Sequence, residues 1–176
     1  MQTSLLIEKD ATFSPCRKYR YTLYRSWDSK LGYAMFIGLN PSTADETLDD
    51  PTVRRCINFA RAWGYGGLCM MNLFAYRTKD PKHMKAAHKP IGVDNDKWLI
   101  SESMRAGVII AAWGNHGSYL GRDEEVRVML HDLHYLALTK SGKPKHPLYL
   151  KKDLMPKKLK DLYSRVTQSR PQSPIP

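Results

Sequence analysis

The sequence predicts a single α/β domain built on a mainly parallel sheet, and three observations predict it. The chain has 176 residues, 42% hydrophobic and 26% charged, the length and balance of one globular domain that can bury a core without disulfides or metals. Short apolar runs of strand length alternate with segments of helical period. Parallel neighbours need a crossover between them, and the intervening helices supply it. The domain is expected to span residues 1–166. Residues 167–176, rich in Pro and Ser with no apolar periodicity, are expected to form a disordered basic tail.

Each element follows from a local pattern. Arg17 to Trp27 (RKYRYTLYRSW) is rich in aromatic and β-forming residues with rough alternation, which predicts one or two strands of an antiparallel or edge pair. Tyr33 to Leu39 (YAMFIGL) is almost continuously apolar, as a strand covered on both faces must be. Turn formers follow from Asn40, then an acidic stretch to Asp50. Pro51 opens a helix through Val53, Ile57, Ala60 and Trp63, which Gly64, Gly66 and Gly67 stop. Leu68 to Met71 is a second buried strand, Asp94 to Met104 a helix, Gly107 to Trp113 a third strand, Asp123 to Leu133 a helix, and Tyr135 to Leu138 a fourth strand.

The apolar strands end in polar residues: Asn40, Asn72, then Gly114, Asn115 and His116, then Thr139 and Lys140. In an open parallel sheet the carboxyl ends share one edge, and ligands bind in the crevice outside it. A binding cleft is expected there.

Several chemistries are excluded. No apolar run approaches the roughly 20 residues that span a bilayer, and the N-terminal MQTSLLIEKD lacks the basic and apolar regions of a signal peptide, so a cytoplasmic location is expected. Cys16, Cys56 and Cys69 form no C-x-x-C pair and predict no disulfide framework. Neither a phosphate-cradling G-x-x-x-x-G-K-[ST] nor a G-x-S-x-G elbow occurs. No metal and no cofactor is assigned, and a monomer is expected.

The formal charge is +11, and it is uneven. From Lys140 to Arg170 the chain carries ten basic residues and two acidic ones. Tyr149 and Tyr163 are interleaved with them, a composition suited to tracking a nucleic-acid backbone. Lys143, Lys145, Lys151 and Lys152 are the expected contacts, joined by Arg54 and Arg55 in the first turns of the Pro51 helix, where the positive dipole end favours anions.

The blocks FIGLNPSTADETLDDPTVRRC, WGYGGLCMMNLFAYRTKDP, AAWGNHG and LTKSGKPKHPLYL together resemble a bacterial and phage domain-of-unknown-function family. More distantly, Gly38-Leu39-Asn40-Pro41 resembles the first motif of mismatch-specific and single-strand-selective uracil-DNA glycosylases, and His146-Pro147 resembles the start of their second. The chain departs from them after Pro147, where Leu148-Tyr149-Leu150 replaces a Ser-rich minor-groove loop. The resemblance implies a three-layer α/β/α, uracil-DNA glycosylase-like fold. It also implies DNA or a nucleotide as partner, and hydrolysis of the N-glycosidic bond of a damaged or modified base.

Such a reaction passes through an oxocarbenium-like sugar and an anionic leaving base. Asn40 would orient the attacking water through its carbonyl while its NH2 meets substrate, Asp45 would act as base, and His146 would donate to the departing base. Asn72 would read the base edge, with Pro41, Ser42, Arg77, Asn115 and His116 completing the substrate site and Tyr65, Phe74 or Tyr76 supplying an aromatic floor. The alternatives are a non-catalytic nucleic-acid-binding module on the same fold, or a nucleotide or nucleoside hydrolase.

Overall fold

The computed structural model describes residues 7–160. The tail expected at 167–176 lies outside them. Seven strands form one sheet in the order β1-β2-β4-β3-β5-β6-β7, where β1 is Glu8–Phe13, β2 Arg20–Ser26, β3 Tyr33–Gly38, β4 Gly67–Asn72, β5 Val108–Ala111, β6 Leu133–Tyr135 and β7 Lys157–Lys158. The helices are α1 (Pro51–Ala62), α2 (Pro81–Ala86), α3 (Asn95–Ser103) and α4 (Arg122–Met129).

The sheet is mixed, not mainly parallel. Its four central strands β4, β3, β5 and β6 pair in parallel, while β1 with β2, β2 with β4, and β6 with β7 are antiparallel. The antiparallel additions are the strands that carry polar residues and need no crossover helix. The edge strand β1 (EKDATF), the two-residue β7 and the short α2 have no sequence expectation behind them. The expected Asp123–Leu133 helix stops at Met129, because Asp132 takes a left-handed φ of 61° and Leu133 turns back into the sheet. The fourth strand is therefore Leu133–Tyr135, two residues earlier than expected.

Alternation along the strands sorts the core to two faces. Ala34 and Phe36 of β3 pack with Val53, Cys56, Phe59 and Ala60 of α1, and Phe36 stacks on Trp63 at 5.8 Å between ring centres. Met35 and Ile37 point the other way, into a cluster holding Leu99 of α3 with Val126 and Leu130 at the end of α4. Each fully buried side chain of this size contributes about 1.5–3 kcal/mol. Helix α1 starts where it does because Asp50 accepts the Val53 N–H at 2.8 Å and Pro51 is pre-set for the first turn.

From β3 the chain passes over α1 to β4 on one side, and from β4 it returns under α3 to β5 on the other side of β3. The connections leaving the carboxyl ends of β3 and β5 therefore run to opposite faces of the sheet, which opens a crevice between them. No helix among the described residues is long and apolar enough to cross a membrane.

Candidate functional site

A cleft of about 350 Å³ lies at this point of divergence. That is the lower part of the ~300–1,000 Å³ range typical of small-molecule sites. Of the expected residues, Asn40, Ser42, Asn72, Asn115, His116 and His146 line it. Arg20 and Asp50, which the sequence did not single out, line it too.

Arg20 is the most unusual of these groups. It is 3% exposed, yet its hydrogen bonding is incomplete: one terminal nitrogen donates to Ala44 O at 2.8 Å, the other reaches Asn72 Oδ1 at a long 3.3 Å, and Nε has no partner. Burial pushes its pKa down to about 10, against the pull of Asp50. Asn72 is held by Arg20 through its side chain and by Asn95, whose Nδ2 donates to the backbone carbonyls of Asn72 and Leu73 at 3.0 and 3.1 Å. Its amide nitrogen lies over Gly38, where a Cβ would stand only 3.0 Å away. Glycine at this strand end is what lets the amide lie flat against β3.

Asn40 is oriented differently from the expectation. Its NH2 donates to Thr78 O at 2.8 Å and Pro41 O at 3.2 Å, so both N–H groups are spent tying two loops together. Two carbonyl partners demand a donor, which leaves Oδ1 as the atom free to face the cleft. Pro41 is buried, and its carbonyl also receives the Thr78 N–H at 2.9 Å.

Asp45 does not reach the cleft. One carboxylate oxygen accepts the backbone N–H groups of Leu48 and Thr47, both at 2.8 Å, and the Thr47 hydroxyl at 3.0 Å, closing a turn. These bonds hold its pKa at about 2. The carboxylate that does line the cleft is Asp50. Its capping role uses one oxygen for Val53 N–H.

His146 stands at the rim. Its Nδ1 accepts the Leu148 N–H at 3.2 Å, so in the neutral ring Nε2 carries the proton and is the donor. The ring is solvent-accessible on one side, but the cleft walls desolvate it and lower its pKa, with Asp50 opposing. His116 Nδ1 accepts from Lys85 Nζ at 3.2 Å. Asn115 uses its carbonyl to receive the Thr139 and Ser141 hydroxyls, both at 2.7 Å, which pins the chain after β6 to the one after β5.

The expected phosphate contacts are dispersed. Lys143 is ion-paired at 2.6 Å with buried Asp123, and Arg54 donates to Asp49 O. Arg55 lies over the Phe59 ring and, with Lys152, on the flank of α1 beside Asn58 and Ala62. Lys145 and Lys151 are exposed and do not line the cleft. Arg77 lies in a neighbouring groove with Tyr76. Phe74 is core and Tyr65 packs beside Gly107 before β5, so neither forms a floor. The aromatic ring that lines the cleft is Trp113, against which Gly117 sits so closely that a Cβ would lie 2.2 Å from the indole.

In the sequence Asp50 is the last of an acidic stretch before a helix, and that setting hid its place in the cleft. Arg20 had no local signal, since its partners come from segments distant in sequence. No curated protein and no solved structure matches the chain. Residues 20–148 match the family model described as Protein of unknown function (DUF1643), and the chain belongs to that family.

Proposed function

We propose that this protein hydrolyses an N-glycosidic bond, taking the nucleobase of a damaged or modified DNA nucleotide into the β3/β5 cleft. The observation that carries the reading is a pair of opposite charges, Arg20 and Asp50, lining one cleft without forming an ion pair with each other. The transition state of this reaction has the same polarity, with a cationic sugar beside an anionic base.

In this reading Asn72 Nδ2 meets an acceptor on the base edge. Asn40 Oδ1 and the Asp50 carboxylate accept from a water aligned on the sugar carbon. As the new C–O bond forms, the C–N bond breaks and its electron pair leaves with the base. His146 Nε2–H donates to the base carbonyl that gathers this charge, over the fixed positive charge of Arg20. Asp50 takes the proton the water loses. Asp50 replaces Asp45 in this role, because the Asp45 carboxylate is occupied in its own turn.

The test is release of free base, followed by mass spectrometry, from oligonucleotides and nucleosides carrying uracil and a panel of damaged or modified bases. At least one substrate is expected to turn over. His146→Ala is expected to lower its rate by about 10²–10³-fold, the usual loss for one preorganised donor. Tight binding of such DNA with no base released from any substrate would replace the hydrolase with a binding module.

A further inference from the structure

We infer that the substrate of this cleft is a polynucleotide whose backbone lies in a second, open groove lined by Arg17, Lys18, Arg77 and Lys79, an assignment that rests on the reading above. The groove has about 430 Å³ and shares Ser42, Thr78 and Lys79 with the cleft, so the two are continuous. A free nucleoside would fill the cleft alone. Flanking phosphates need somewhere to lie, and this groove begins where the cleft ends.

Its cations are preset. The β1–β2 connection is fixed by Arg77 N–H donating to Lys18 O at 2.9 Å and by an Arg77 terminal nitrogen donating to Arg17 O at 3.2 Å. The guanidinium groups of Arg17 and Arg77 lie 4.0 and 4.7 Å from the centre of the Phe13 ring, which restricts them before any ligand arrives. Arg17 has a carboxylate partner, Glu46 at 2.9 Å. Among the described residues Lys18, Arg77 and Lys79 form no ion pair, and Arg77 Nε is buried without a partner. Surplus positive charge beside Tyr76, an aromatic ring on which a base can stack, suits a phosphodiester strand.

The sequence directed attention to the C-terminal lysines instead. Lys143 is neutralised by Asp123, and Lys152 faces the flank of α1. The groove carries its excess charge next to the candidate site.

The experiment is fluorescence anisotropy of a labelled oligothymidylate of roughly 12 nucleotides against the full chain over a range of salt. It compares wild type with Lys18→Gln/Arg77→Gln/Lys79→Gln, with Lys151→Gln/Lys152→Gln, and with Lys30→Gln as a control before β3. The groove variant is expected to bind on the order of tenfold or more weakly, with the slope of log affinity against log salt reduced by about two units, as for loss of three single-strand phosphate contacts. The other two are expected to match wild type. A groove variant with unchanged slope, or a loss carried by Lys151 and Lys152, would overturn the assignment. Circular dichroism melting confirms that each variant is folded. Anisotropy needs no turnover, so the two proposals fail separately. Oligonucleotide binding through the groove without base release removes the hydrolase alone, and base release from nucleosides with no oligonucleotide binding removes the groove alone.

Discussion

Two buried arginines on one strand, Arg20 and Arg25, have opposite fates. Arg25 is fully buried and each of its guanidinium nitrogens has a partner: Nε pairs with Asp49 at 2.6 Å, and the terminal nitrogens donate to the carbonyls of Tyr24, Asp45 and Leu48. Arg20 is nearly as buried, but Nε is unpaired and one of its two bonds is long. Arg25 anchors the acidic loop, so Asp49 there is a structural counterion. Arg20 faces a cleft with bonding capacity to spare. Burial of a charge therefore says little by itself, and what distinguishes a site is the incompleteness of its partners. The two residues are an odd number apart and on a regular strand would face opposite sides. The pairing slips where Thr12 opposes Thr22 but Phe13 opposes Arg20, and this irregularity lets both reach the segment from Ala44 to Asp49.

Three substitutions or conditions break or sharpen this contrast. The largest effect is expected for Arg25→Ala, which leaves Asp49 with only its 3.4 Å contact to Lys9 among the described residues, removes the donor to three carbonyls and should cost about 3–5 kcal/mol in urea unfolding. A loss under about 1 kcal/mol would show that the loop is held by other means. Arg20→Met should change stability far less, because it removes an imperfectly bonded charge, while lowering base release by about 10²-fold through loss of the positive charge under the leaving group. Equal damage to stability from both variants would erase the distinction. The smallest effect concerns pH. His146 protonated on Nδ1 would face the Leu148 N–H, donor against donor, so base release should fall on acidification with an apparent pKa below the ~6.5 of an unperturbed histidine. Stability should fall modestly over the same interval, because the unfolded chain takes up that proton first. An acid limb that persists unchanged in His146→Gln would assign it to another group.

The central strands and α1 were legible because their signals are strong and local. YAMFIGL is too apolar for anything but a covered strand, and Pro51 at one end with Gly64, Gly66 and Gly67 at the other bounds a helix. Strand β1 was not, since EKDATF has few apolar positions and is an edge strand only by pairing with β2. Helix α2 buries one side chain, Met84, too little to leave a period. The end of α4 was misplaced because Leu130 and Leu133 continue an apolar spacing that the left-handed Asp132 interrupts. In the cleft, strand-end polarity pointed to Asn40, Asn72 and His116, whereas Arg20 depends on a pairing irregularity and Asp50 on a carboxylate with two oxygens and two uses. Side-chain orientation was the least legible level: nothing in GLNP tells that the Asn40 NH2 is committed to Thr78.

That commitment has a dynamic consequence. The loops after β3 and β4 are fastened by Asn40 Nδ2 to Thr78 O, by Thr78 N–H to Pro41 O, and by the N–H groups of Leu73 and Phe74 to the carbonyls of Gly38 and Leu39. These bonds cross between two segments far apart in sequence, so none opens alone without bending a chain that the others hold. The amide protons of Leu73, Phe74 and Thr78 thus belong to one cooperative unit and exchange with solvent in a single event. The floor of the cleft is thus expected to move as one piece, with any opening of the cleft coming from its other wall.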